Sequence, residues 1–183
     1  MALSFFRRWI PQTETAAAGT NRSNGPSAEA EALFLRGVGF ATGHGQAQDY
    51  AQAARCYGEA AEQNHGLAQF NLAVMYAQGQ GVLRDEAKSL LWMTRAAEAG
   101  DAGAQYKLGV QRHLTCRDHR GEGVPEARIE ALKWVRLAAA QGYRGAEGAC
   151  EYVALGMTRE EVAEGGRRVQ AFIATPAQPL GKL

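Results

Sequence analysis

The 183 residues predict an all-α protein assembled from repeated pairs of antiparallel helices. Three observations carry this. Blocks of sequence recur at fixed spacing. Apolar residues inside each block follow the helical period. The apolar content is also small in kind: 46% of residues are hydrophobic but only 8% aromatic, with 35 Ala and 22 Gly. Helices faced with such residues must cross closely.

The chain opens on a segment, residues 1–26, that reads as flexible. In Met1–Pro11, Arg7 and Arg8 interrupt an aromatic cluster of Phe5, Phe6 and Trp9. A secretory signal places its charges before an apolar run, so this is not one. Membrane contact is expected only through residues 1–11, the rings inserting and the arginines meeting anionic headgroups; a frayed terminus is the other reading. Residues 12–26 lack periodicity and read as a tether. At the other end, residues 175–183 hold two prolines and no pattern, which predicts a loose tail.

Between these lies the repeat. Ala68-Gln-Phe-Asn-Leu returns as Ala104-Gln-Tyr-Lys-Leu, an offset of 36. Gly79-Gln-Gly-Val returns as Gly121-Glu-Gly-Val, and Trp92 as Trp134, both at 42. The unit is therefore 36 residues, and the third copy carries six more between Arg112 and Gly121. Going back by 36, Phe34, Phe40, Gly43, Gly45 and Asp49 match Phe70, Tyr76, Gly79, Gly81 and Asp85. The repeats are placed at 27–66, 67–101 and 102–143, the last with an insertion over 113–120. A degenerate, capping copy covers 144–174.

Each copy reads as helix, turn, helix. The first helix begins near Ala68 and its equivalents. The Gly-x-Gly-Val turn supplies residues that tolerate positive φ. Asp85 stands where an N-cap belongs, and Gly100, or Asn64 in the first copy, where a left-handed stop belongs. In the third copy Ala127 replaces the capping Asp, and Pro125 suits a first turn. Ala53, Ala96, Ala97, Ala131, Ala138 and Ala139 fall where second helices cross their neighbours. Trp92 and Trp134 are the large residues of the core. Cys56 takes that place in the first copy, which makes it the weakest full repeat. Thr158-Arg-Glu-Glu161 is a capping box ahead of a closing helix with an apolar stripe of Val162, Val169 and Phe172. Glu160, Glu164, Arg167 and Arg168 would face water. Gly165-Gly166 within that helix implies either fraying or a close helix contact.

These residues resemble the Sel-one-like repeat (SLR), a relative of the tetratricopeptide repeat. The match rests on Ala68, Leu72, Tyr76, Gly79, Gly81, Val82, Asp85, Trp92, Ala96, Ala97 and Gly100. The resemblance implies a right-handed α-α solenoid that serves as an adaptor in protein complexes, with no catalytic residue and no cofactor. Some cysteine-rich members are credited with β-lactamase activity, but they carry paired cysteines in each repeat that this chain lacks. By analogy with tetratricopeptide arrays, the first helices line a concave face. That puts Phe34, Val38, Phe70, Val74, Tyr106, Val110, His113 and Tyr152 on a strip suited to a protein or peptide partner. The same aromatics could instead pack between repeats.

Other function classes fare worse. Lys and Arg number 20 against 19 Asp and Glu, a net charge of +1, which argues against a nucleic-acid partner. Cys56, Cys116 and Cys150 form no CxxC, so a disulfide framework is not expected and a reducing cytoplasm is. No run approaches the ~18–20 apolar residues of a membrane span. Arg outnumbers Lys 16 to 4 and Ala and Gly abound, which suggests a GC-rich, bacterial genome. There is no phosphate-binding glycine loop, GxSxG or HExxH. His113, Cys116 and His119 have a spacing that invites a metal reading, with Asp118 or Glu122 as a fourth ligand, but a lone cluster without CxxC does not make a zinc site. The insertion is read instead as a partner-contacting loop carrying Arg112, Cys116, Arg117, His119 and Arg120, or as mere length drift. His44 and His65 are expected in solvated turns.

Overall fold

A computed structural model describes residues 26–45, 47–117 and 123–175. Among them are eight helices and no strand. They are α1 (Ala28–Thr42), α2 (Tyr50–Glu62), α3 (Gly66–Gln78), α4 (Glu86–Glu98), α5 (Ala102–Arg117), α6 (Val124–Ala140), α7 (Ala146–Ala154) and α8 (Arg159–Ala174). Each of the first seven packs on its neighbours in the chain, and α8 lies chiefly against α6. The result is a right-handed α-α solenoid of antiparallel pairs. The expected membrane-contact segment 1–11, most of the tether and most of the tail lie outside the described residues, as do Asp118, His119, Arg120, Glu122 and the side chain of Arg117.

Helix ends obey the register. Asp49 accepts from the amides of Ala51 and Gln52, and Asp85 from that of Lys88. Thr158 and Glu161 exchange the two bonds of a capping box. Asn64 and Gly100, with φ of 61° and 100°, end α2 and α4. α6 has no side-chain cap, starts at Val124 and carries Pro125 in its first turn. The third repeat departs from expectation at the insertion. Residues 113–117 are not a loop: α5 runs on to Arg117, and Cys116 is buried. Gln111–Arg117 contains no Gly or Pro, and Leu108 and Cys116 keep the helical period on the inner side, so nothing stops the helix earlier.

The core is a set of close crossings. Ala53, Ala96, Ala97, Ala131 and Ala138 are fully buried, while Ala139 is only partly so. One pair of positions shows how size is shared. Gly37 faces Tyr57 so closely that an added Cβ would lie 2.7 Å from the ring; Gly109 faces Val135 at the same distance. The second repeat holds Ala73 and Met93 in that register, all buried. At Cys56, where the other copies hold Trp, the neighbouring Tyr57 is buried and hydrogen-bonded to Asn71. Burial pushes the Tyr57 phenol up to about 12. On α8, a Cβ at Gly165 would lie 3.0 Å from Leu132, so a close helix contact explains that glycine. Arg168 does not simply face water. It reaches Glu126 and Glu130 of α6 as well as Glu164, and these bonds hold the Glu126 and Glu164 carboxyls below their usual range.

Between repeats, buried glutamines tie helix ends together. Gln69 donates to the carbonyl of Ala61 at 3.1 Å and Gln105 to that of Ala97 at 3.0 Å. Gln141 completes the second of these by donating to Gln105 Oε1 at 2.9 Å. The residue in register with Gln141 one repeat earlier is Ala99, and Gln69 Oε1 is buried with no hydrogen-bond partner. Asp101 caps α5 by accepting from Ala104 at 2.7 Å, and burial pushes its carboxyl up to about 6.

Three outcomes follow from these joints. A Cβ at Gly81 would sit 2.1 Å from the Tyr50 carbonyl oxygen of the preceding repeat, whereas Gly45 in the same register has nothing within 4 Å. Both have positive φ. Gly45→Ala should therefore cost only the left-handed penalty of about 1–2 kcal/mol, and Gly81→Ala distinctly more, in urea unfolding. Ala99→Gln should stabilise by about 0.5–1.5 kcal/mol by donating to Gln69, a gain absent in a Gln69→Leu background. Asp101 holds its proton more tightly folded than unfolded. The stability it contributes is full below about pH 3.8 and is lost as pH rises through about 6. Asp101→Asn should remove that part of the decline, read from urea midpoints of the two proteins across the range.

Candidate interaction surface

The first helices of the pairs, α1, α3 and α5, present equivalent residues in columns. Val38, Val74, Val110 and Tyr152 occupy one such column, 36, 36 and 42 residues apart. The three valines are half-buried and Tyr152 is 49% exposed. Beside them run Leu35, Asn71 and Lys107, of which Leu35 is 57% exposed. The valine column is possible because helical residues three and four apart share a face, and a constant repeat keeps that face in line.

The aromatic members of the expected strip turn inward. Phe34 stacks on the His65 ring at 4.5 Å and lies 5.8 Å from Tyr57. Phe70 is only 7% exposed, faces Gly103 of the next repeat and carries the Lys107 ammonium 5.1 Å above its ring. Tyr106 packs against Tyr143 at 5.1 Å. Position 34, 70 or 106 thus meets the start of the following repeat each time, which is a packing role. His113 meets Tyr152 edge-on at 5.0 Å, joining α5 to α7.

His65 corrects the sequence reading most. It is 3% exposed rather than solvated. Nδ1 accepts from the Ala68 amide at 3.2 Å, which assigns the proton to Nε2, and Nε2 donates to Glu31 at 3.0 Å. The imidazole is an N-cap in the register that Asp101 fills one repeat later. A helix start at Gly66, two residues ahead of the expected Ala68, could have been found from that equivalence. His44 is exposed, as expected.

The described residues around the insertion lie on a helix. Arg112 and His113 are partly buried on α5, and the Cys116 thiol donates to the His113 carbonyl at 3.2 Å. Burial pushes the Cys56 and Cys150 thiols up, away from the reactive thiolate. Among the described residues no three His, Cys, Asp or Glu side chains cluster as metal ligands, and no helix is long and apolar enough to cross a membrane.

Alongside α5, Tyr106, Lys107, Val110, Gln111, Leu114 and Thr115 line a shallow groove of about 350 Å³. Leu114 is 46% exposed there. Burial lowers the Lys107 pKa.

Comparison with known proteins supports the register. The Sel1 repeat profile matches residues 30–65, 66–101 and 102–143. A Sel1 repeat protein from Oxalobacter formigenes is similar in structure, with a TM-score of 0.62 and 25% identity over 79% of this chain and 60% of that one. The protective antigen c5321 of uropathogenic Escherichia coli, which displays an SLR fold, has a TM-score of 0.60 and 24% identity over 80% of this chain and 32% of that one. This chain therefore spans less than two thirds of either. No curated protein matches it. Three consecutive matched units cover more than half of the residues, and the chain belongs to the Sel1 repeat family.

Proposed function

We propose that the protein is a non-enzymatic adaptor that holds a protein or peptide partner along the concave face of its solenoid. Sel1 repeat proteins typically mediate protein–protein interaction. The observation that carries the reading here is the column of Val38, Val74, Val110 and Tyr152, apolar and partly open to solvent on successive repeats. A rigid array of such positions suits an extended or helical segment with apolar side chains at matching intervals. The aromatics at Phe34 and Phe70 support the face from behind rather than touching the partner. His113 orients Tyr152 through their ring contact.

Substituting charge for the buried Phe70 would test folding rather than binding. A photo-crosslinking side chain is gentler. Placed at Val74 it should capture a partner in cells of the source organism. Placed at Leu90, 45% exposed on the second helix of the same repeat, it should not. Capture from Leu90 alone would move the binding surface to the outer helices.

A further inference from the structure

The net charge of +1 conceals a segregation of charge along the first helices. α1 carries Glu29, Glu31 and Arg36, and α3 carries no charged residue at all. α5 carries Lys107, Arg112 and Arg117 and no acid, while acids return on α7 as Glu147 and Glu151. The second helices α4 and α6 mix both signs. Among the described residues the cations of α5 thus stand between the acids of α1 and those of α7, and one of them, Lys107, lines the groove beside α5.

Inside the groove the chemistry is mixed in a particular proportion. Val110 and Leu114 offer apolar surface with the Tyr106 ring, Gln111 and Thr115 are neutral and polar, and among the described residues Lys107 is the one charged lining residue. The Lys107 stem is partly withdrawn from water with its ammonium over Phe70, and burial has lowered its pKa. A cation held in this way gains more from a carboxylate than a fully hydrated one would, because less water remains to be displaced. One charged residue in an apolar groove does not suit a polyphosphate chain, which is held by several cations in array.

We propose that the groove beside α5 docks an acidic amphipathic peptide segment of a partner protein. One apolar side chain of the segment seats between Tyr106, Val110 and Leu114, and a neighbouring carboxylate faces Lys107. The proposal rests on the concave-face reading and assigns the partner's chemistry at its third repeat. The partner's acids lie over α5 and not over α1 or α7, where they would meet Glu31 or Glu151.

The test is selection of phage-displayed random dodecamers on the full chain, followed by fluorescence anisotropy with the enriched peptide. The expected consensus pairs Asp or Glu with Leu, Ile or Phe. Leu114→Asp, at an exposed position, should weaken binding by at least about tenfold. Lys107→Gln should weaken it less and flatten its salt dependence. Circular dichroism of each variant should match the parent. An enriched peptide without acids overturns the proposal. Binding lost on Val74→Asp but indifferent to Leu114→Asp overturns it too, while leaving the concave face as the binding surface. Indifference to both, or no enriched peptide, overturns both readings. Displacement of the peptide by a single-stranded oligonucleotide at physiological salt would assign the groove to nucleic acid instead.

Discussion

Close approach between helices is the constraint on which the remainder of this molecule depends. At one register the inner residue is Gly37, Ala73 or Gly109, and the residue opposite is Tyr57, Met93 or Val135. The small member sets how near the two helices of a pair can come, and the larger member fills what is left. Gly81 does the same between pairs, where the turn of the second repeat rests on backbone at the start of α2. Solenoids stack by nearest-neighbour contacts, so an error at one crossing passes to the orientation of every later repeat. This explains why a chain with 35 alanines needs so few aromatics: its core is made by proximity rather than by bulk.

Polar groups at the same joints distinguish one repeat from the next. Gln69 and Gln105 occupy equivalent interior positions, but only Gln105 has its oxygen satisfied, through Gln141. His65 and Asp101 cap equivalent helices with opposite chemistry, an imidazole bonded to Glu31 and a buried carboxyl. The capping geometry is the same, since each needs only one acceptor aimed at the amide three residues on. Burial acts on the charged form of Asp101, which gives that cap its pH response. The closing helix is secured differently again, by Arg168 bridging to Glu126 and Glu130 on α6. This charged clasp attaches α8 to α6 without exposing apolar surface.

The valine column stays partly open to solvent after these contacts. Constant repeat length lines up Val38, Val74, Val110 and Tyr152, while the charged residues of α1, α3, α5 and α7 differ from helix to helix. A scaffold of this kind separates tasks: small residues and glutamines hold the helices, and the intervening side chains are free to differ.

Periodicity alone determined the helix pairs, their register, the Asp caps, the left-handed stops and the closing capping box, because each depends on local backbone chemistry at fixed offsets. It also placed Val38, Val74 and Val110 in one column. How the aromatics of the first helices pack was decided only in three dimensions: Phe34, Phe70 and Tyr106 lie against His65, Gly103 and Tyr143, more than thirty residues on in the chain. The same holds for His65, whose burial depends on Phe34 and Glu31, 31 and 34 residues away. It holds too for Arg168, which finds its acids on α6 rather than in water. Local chemistry is legible in a sequence because its partners are near in the chain. The aromatics, His65 and Arg168 were not, because their partners are distant in the chain and arrive only on packing; the helix through Cys116, where added residues suggested a loop, was local, its residues holding no stop signal.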